Sequence, residues 1–428
     1  MICLRLRHGT PAIAGVLAIL LCAVSTIGKA TDQNAHSCAE NEAWDNGMGM
    51  CMPAASASAS QFVTSAQFNA FGVFGAAQGP RGISDLSAPN MFMLDAGKTL
   101  GTRQFLNLDL MGTTELWTYP RHGYPALLQI GEERSDGSPF VDAQHPHSSP
   151  IMGLTLSDTI SLDSLRTLKL FVAPRGESTD GPVAFMHRES ARDNPDAPLG
   201  HHVGQDVGHI SSTVLGIQLD LGRIIIEASA FNGTEPMPTK VDLPIGTPNS
   251  EALRVTYELA PAHRVMASWA HVEQRDSQYP GTSSATWTSA SLYDHFTPDN
   301  ALTIDHTFIV GSITRYPAGA TLTSFLDEAV WQRGSSDFWG RIELLQRLRS
   351  ELEIPAPVAD KIDEERWVSA FTLGYTHWST PAAALQVGLG TALTMDVLPK
   401  AWAPAYGGRN PLTIRVILQI RGSRGWRQ

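Results

Sequence analysis

The sequence predicts an all-β protein, a transmembrane antiparallel up-and-down β-barrel of about sixteen strands with short periplasmic turns and long extracellular loops. Three observations predict it. The chain begins like a secretory precursor. No later apolar run is long enough for a spanning helix. The strand-like segments alternate apolar and polar residues, and the connections between them are short and long by turns.

The start of the chain comes first. Arg5 and Arg7 form a positive leader, an apolar stretch follows from Ala12 to Val24, and Gly28-Lys29-Ala30 offers small residues for cleavage. The expected signal peptide is therefore residues 1–30. As a membrane anchor the apolar stretch falls short of the roughly 20 residues a spanning helix needs. Leu21 before Cys22 argues against a lipoprotein, whose signal wants a small residue there. Cleavage removes Cys3 and Cys22 and leaves Cys38 and Cys51 in the leader 31–60, where an oxidising compartment would join them in one small disulfide loop.

Residues 61–428 carry the barrel pattern. Leu106, Leu108 and Leu110 interleave with Asn107 and Asp109; Leu215, Ile217, Leu219 and Leu221 with Gln218 and Asp220. Ile224, Ile226, Ala228 and Ala230 interleave with Arg223, Glu227 and Ser229, and Leu253, Val255, Tyr257 and Leu259 with Arg254, Thr256 and Glu258. Leu412 to Ile420 repeat the theme around Thr413, Arg415 and Gln419. Strand side chains alternate between faces, so one face meets lipid and the other a polar lumen.

Alternation alone also fits a soluble sandwich, and connection lengths decide against it. Strands are expected to start near 61, 90, 103, 151, 166, 206, 223, 251, 263, 283, 301, 321, 338, 367, 383 and 411. The even connections, such as Leu100-Gly101-Thr102, Leu221-Gly222 and Ala260-Pro261-Ala262, are tight. Most odd ones are long, above all 117–149 and 175–205; the connection near Pro317 is the exception. Sorting loops by rim is a habit of outer-membrane barrels. Trp117, Tyr119, Tyr293, Trp331, Trp339, Trp367, Tyr375 and Trp378 fall near expected strand ends, where an aromatic girdle would sit. The chain ends Gly425-Trp426-Arg427-Gln428 rather than on an aromatic residue.

Charged residues make up 17% of the chain, against roughly 25% in soluble domains. A net charge of -11 and the lack of a Lys/Arg-rich tract exclude nucleic acid as a partner. The expected partners are outer-membrane lipid and a small solute or metal ion, and nothing in the sequence marks an oligomer interface.

No nucleophile elbow, phosphate loop, dinucleotide fingerprint or zinc-protease motif occurs, so no enzymatic activity is expected. Histidines crowd the two longest loops instead. His122, His145 and His147 lie in the first; His187, His201, His202 and His209 lie in or beside the second. Imidazole suits copper, zinc and nickel, and thioether sulfur favours Cu(I). Met152 follows His147, Met186 precedes His187, and Met48-Gly49-Met50-Cys51-Met52 stands in the leader. Both loops leave the same rim, so His145, His147, His187, His201 and His202 are candidate ligands for copper or zinc ions. The plain alternative is polar loop structure, with His-Pro-His as a turn.

On the inward face Arg223, Glu227, Arg254, Glu258, Arg341, Glu343 and Arg415 are expected to line the lumen. Gly123-Tyr124-Pro125-Ala126-Leu127-Leu128-Gln129 is too apolar for a loop washed by water, and is expected to fold inward.

Four segments resemble a family of bacterial outer-membrane barrel proteins often encoded beside copper and heavy-metal resistance genes. They are Gly123-Tyr124-Pro125 through Gly131-Glu132, Asp142 through His147, Pro182 through His202 into Asn232-Gly233 and Glu235-Pro236, and the Met48 to Pro53 leader. Ser148 departs from the pattern, which carries an acidic residue after His-Pro-His. The resemblance implies a link to metal stress through gene neighbourhood.

The sequence therefore reads as a porin-like channel or binding barrel of the bacterial outer membrane, handling copper or another heavy metal. The alternatives are an outer-membrane lipid hydrolase using His271 or His306, and a closed structural barrel without conductance.

Overall fold

The computed structural model describes residues 62–427, apart from 135, 148–149, 206–207, 274–281, 300, 318, 320, 356–364 and 380–384, and two short strands before them, Glu42–Asp45 and Met50–Pro53. The expected signal peptide, Cys38, Met48 and Ser148 lie outside the described residues.

Sixteen antiparallel strands close into a barrel. The first half comprises β1 (Phe62–Ala77), β2 (Ser84–Ser87 continuing as Asn90–Leu100), β3 (Gln104–Gly112), β4 (Ile151–Ser161), β5 (Thr167–Gly176), β6 (Ser211–Asp220), β7 (Ile224–Asn232) and β8 (Ser250–Ala260). The second half comprises β9 (His263–Val272), β10 (Ser284–Asp299), β11 (Leu302–Tyr316), β12 (Thr321–Arg333), β13 (Ser336–Leu348), β14 (Glu365–Trp378), β15 (Leu385–Val397) and β16 (Leu412–Arg427). Each strand pairs with its neighbours in sequence, and β16 returns to β1, with Gly422 opposite Phe68. Closure leaves no unpaired edge, as a strand structure in hydrocarbon requires.

The strand starts at Ile151, His263 and Thr321 coincide with the expected ones. Two depart. β2 begins earlier, at Ser84, and is broken at Ala88-Pro89, because proline has no N–H for the ladder. β6 begins at Ser211 rather than near 206, because buried His209 and Ile210 still belong to the inward loop.

The dyad is visible in exposure. Along β8, Leu253, Val255 and Tyr257 are exposed while Ala252, Arg254 and Thr256 are buried. Leu373 and Leu389 stand 72% and 65% exposed on the outer wall. An apolar belt on this scale has no place in water and marks the lipid-facing surface of an outer-membrane barrel.

The aromatic girdle is only partly as expected. Trp331 and Trp367 do face outward, but Tyr119, Tyr293, Trp339 and Trp378 are 2–9% exposed and point into the barrel. There the Trp378 indole donates to Asp337 at 2.8 Å and Arg421 stacks 3.8 Å over its ring, partners that lipid could not supply.

The main apolar core lies inside the barrel. Leu127, Leu128, Ile130, Leu199 and Val203 of the two long loops pack against Val214, Phe231, Trp287, Ile313 and Leu345 of the wall. The two long loops therefore occupy part of the lumen.

Candidate metal centre in the lumen

The first inner loop, 113–150, carries a hairpin, Tyr124–Glu133 paired with Pro139–Gln144. It folds inward, as its apolar run predicts. The Tyr124 hydroxyl accepts from Arg415 Nε at 2.9 Å and bonds to Asp196, so one lumen arginine holds both loops. Asp142 binds Arg81, accepts from the Tyr406 hydroxyl at 2.9 Å and takes the Leu128 N–H at 2.8 Å.

The second inner loop, 177–210, has short turns at Phe185–His187 and Glu189–Ala191 and is otherwise held by wall side chains. Arg188 Nε donates to Glu328 at 2.6 Å, and Arg341 Nε donates to the other carboxylate oxygen at 2.8 Å. The Leu199 N–H donates to Glu343 at 2.6 Å, and Ser324 Oγ donates to the Val203 carbonyl at 2.6 Å. At Gly204, φ is +73°, and its backbone lies so close to β11 that a Cβ on Gly311 would stand 2.5 Å from the Gly204 carbonyl oxygen. Only glycines permit this contact.

The expected lumen charges are thus mostly fasteners. Glu227, Arg254, Arg341, Glu343 and Arg415 are buried on the inner wall. Arg254 grips Glu227 through two bonds of 2.7 and 2.8 Å, while Arg341, Glu343 and Arg415 hold the loops. Glu258 is half-buried and lines a small pocket at the periplasmic mouth. Arg223 is a correction. It shares the inward parity but sits in the tight turn before β7, where it is exposed.

The inward fold brings the histidines together. Ring centroids of His201 and His202 lie 4.6 Å apart, His201 and His209 4.7 Å, His147 and His209 5.2 Å, and His145 and His202 5.6 Å. One ring nitrogen each of His145, His201 and His202 lies within 4.8 Å of the others. His187 stands apart, paired with Glu177 at 3.2 Å, and His209 takes its place beside the group.

Two rings have a defined orientation. Buried Glu115 lies 2.6 Å from His147 Nδ1, takes the His147 N–H at 2.9 Å and accepts from the Tyr119 hydroxyl at 2.9 Å. His145 Nδ1 lies 3.2 Å from the Pro146 carbonyl oxygen. Both contacts place the proton on Nδ1 and the lone pair on Nε2, a common preparation of a metal-binding imidazole. Gly131 makes room, since a Cβ there would meet His145 Cδ2 at 2.8 Å.

Burial pushes His145, His201 and His202 well below the usual imidazole range, and neighbouring rings push the same way. The three are neutral at pH 7, the form that donates to a metal. Elsewhere in the interior, buried Met93, Met111 and Met152 pack with Ile210, joined by half-buried Met91 and Met186.

The two histidines suggested for a hydrolase are paired with carboxylates. Both His306 ring nitrogens face carboxylates, Asp294 at 3.1 Å and Asp327 at 2.8 Å, and His271 pairs with Glu273 at 3.4 Å.

No protein-family model and no curated protein matches the chain in sequence. Solved structures do match in shape. An anion-selective porin from Comamonas acidovorans aligns with a TM-score of 0.52 at 12% identity, covering 85% of this chain and 100% of that one. OmpF of Salmonella typhi, in complex with daunomycin, aligns at 0.49 and 9% identity over 84% of this chain and 97% of its own. OpdK of Pseudomonas aeruginosa with vanillate gives 0.40 and 10%, over 85% and 99%. The barrel, its apolar belt and the likeness to the Comamonas porin define the chain as a porin-like barrel of the outer membrane.

Proposed function

We propose that this outer-membrane barrel binds copper or zinc ions at the histidine centre between its two inner loops and hands them inward when those loops yield. The observation that carries the reading is the convergence of His145, His201 and His202, flanked by His147 and His209, from segments more than fifty residues apart. Neutral buried imidazoles in contact suit a borderline metal ion such as copper or zinc. Two loops folded into the lumen favour a binding barrel over a freely open pore. The resemblance to barrels encoded beside copper resistance genes supports the choice of metal.

The test is equilibrium binding of Cu(II) and Zn(II) to the refolded, detergent-solubilised mature protein. The comparison variant replaces His145, His147, His201 and His202 by Ala. The reading expects at least a ~100-fold loss of affinity, of the size expected when ligands and not merely their supports are removed. His187→Ala alone leaves affinity unchanged. Wild-type and variant proteins that bind alike, or not at all, contradict it.

A further inference from the structure

His202 belongs to two donor sets. One is the buried group with His145 and His201. The other is Glu132–His202–Glu235, whose ligand atoms also lie within 4.8 Å of one another. Three segments meet at this ring: Glu132 on the inner hairpin, His202 on the second inner loop, and Glu235 on the 233–249 connection between β7 and β8. Both carboxylates are half-exposed, whereas His145 and His201 are 5% and 3% exposed. Among the described residues, buried His202 Nε2 has no hydrogen-bond partner.

The geometry points to a loading site: Glu132 and Glu235 capture a hydrated divalent cation from outside and pass it through His202 to the buried imidazoles. This rests on the metal-binding reading above. The order follows from chemistry. Carboxylates at a half-exposed position bind an ion that keeps part of its water, while the imidazole site demands fuller dehydration and repays it with better ligands for copper or zinc. The carboxylates also answer an electrostatic problem. Arg315 and Arg347 both act on His202 with positive charge, which by itself repels an incoming cation. Two negative charges beside the same ring offset that repulsion and raise the capture rate. Direct handover needs a ligand common to both sites, and His202 is that ligand.

The test is stopped-flow Cu(II) loading of the full mature protein in detergent, followed by tryptophan quenching, for wild type and for Glu132→Gln/Glu235→Gln. Heat-modifiable migration first establishes that the variant barrel is folded. Loading is expected to slow at least ~10-fold at low ionic strength and to lose most of its salt dependence. Affinity for the first ion should stay within about threefold of wild type, since the imidazole triad is intact. With excess Cu(II), wild type shows a second, oxygen-rich electron paramagnetic resonance component that the variant lacks. Unchanged loading overturns the inference, as does loss of first-ion affinity together with loading, which makes the carboxylates part of one site. Wild type that takes up no copper overturns the metal-binding reading itself and the loading site with it, a result distinct from both.

Discussion

Replacing Arg188 by Met should release the second inner loop while leaving the barrel standing. Arg188 is a deep charged anchor of the loop, its side chain fully buried against a Glu328 that is 1% exposed. Its Nε donates to Glu328 at 2.6 Å, and its Nη1 donates to the Val183 carbonyl at 3.0 Å within the loop. Removing one member of a buried ion pair costs about 3–5 kcal/mol, because the other charge is left in a dry site. Arg341 still binds Glu328 at 2.8 Å, which places the cost near the lower limit. About 3 kcal/mol is roughly a hundredfold in the opening equilibrium of the loop. The strand ladder makes no use of Arg188. Hydrogen exchange of the protein in lipid vesicles is the assay. Protection across 183–205 should fall roughly a hundredfold, with β10 to β16 unaffected. Adding Glu328→Gln should then cost less than it does alone, since the two share one interaction. Equal protection of 183–205 in wild type and Arg188→Met would refute the idea that wall charges hold the plug.

Three other outcomes follow from the same structure. Gly311→Val should displace the Gly204 segment, because the new Cβ would stand 2.5 Å from a carbonyl oxygen; binding titrations should show weakened metal affinity with the barrel intact. Val255→Arg, on the exposed face near the middle of β8, should lower unfolding free energy in vesicles by about 2–4 kcal/mol by denaturant titration. The pH dependence has a definite sign. His145, His201 and His202 titrate well below the usual range in the folded protein, so below about pH 6.5 the unfolded chain takes up more protons. Their contribution to loop stability is therefore present above that pH and lost as pH falls. Metal affinity of the folded protein should stay flat through about pH 6.5 and decline only well below it, as read by competition titrations at fixed ionic strength.

The barrel was legible because its signal is local. Leu253, Val255 and Tyr257 face lipid while Arg254 and Thr256 face inward for reasons written within five residues, and Leu221-Gly222 announces its turn by itself. Parity along a strand does not say how far a residue lies from the rim, which is why Arg223 has the parity of the lumen face yet stands in a turn. Proximity to a strand end likewise does not say which face an aromatic takes, and Trp339 and Trp378 took the inner one.

The candidate centre was half legible. Composition marked the histidines, and the common rim of their loops brought His145, His147, His201 and His202 to one place. The choice between His187 and His209 depends on how the second loop packs, which has no periodicity to read. Glu115 left no sequence signal at all. It is one acid in a short helical turn, Glu115–Thr118, thirty-two positions from the His147 it orients. Glu132 and Glu235 carried a weak signal, since both lie in the segments that make the family resemblance.

The central claim is that these histidines hold a metal ion together. X-ray absorption at the zinc edge, on protein loaded with one equivalent of Zn(II), tests it most directly. The account predicts a first shell of three or more nitrogens at about 2.0–2.1 Å with imidazole outer-shell scattering, and loss of that signature in His201→Ala. A shell dominated by oxygen and unchanged in that variant would contradict it, and would return the five histidines to the packing of the plug.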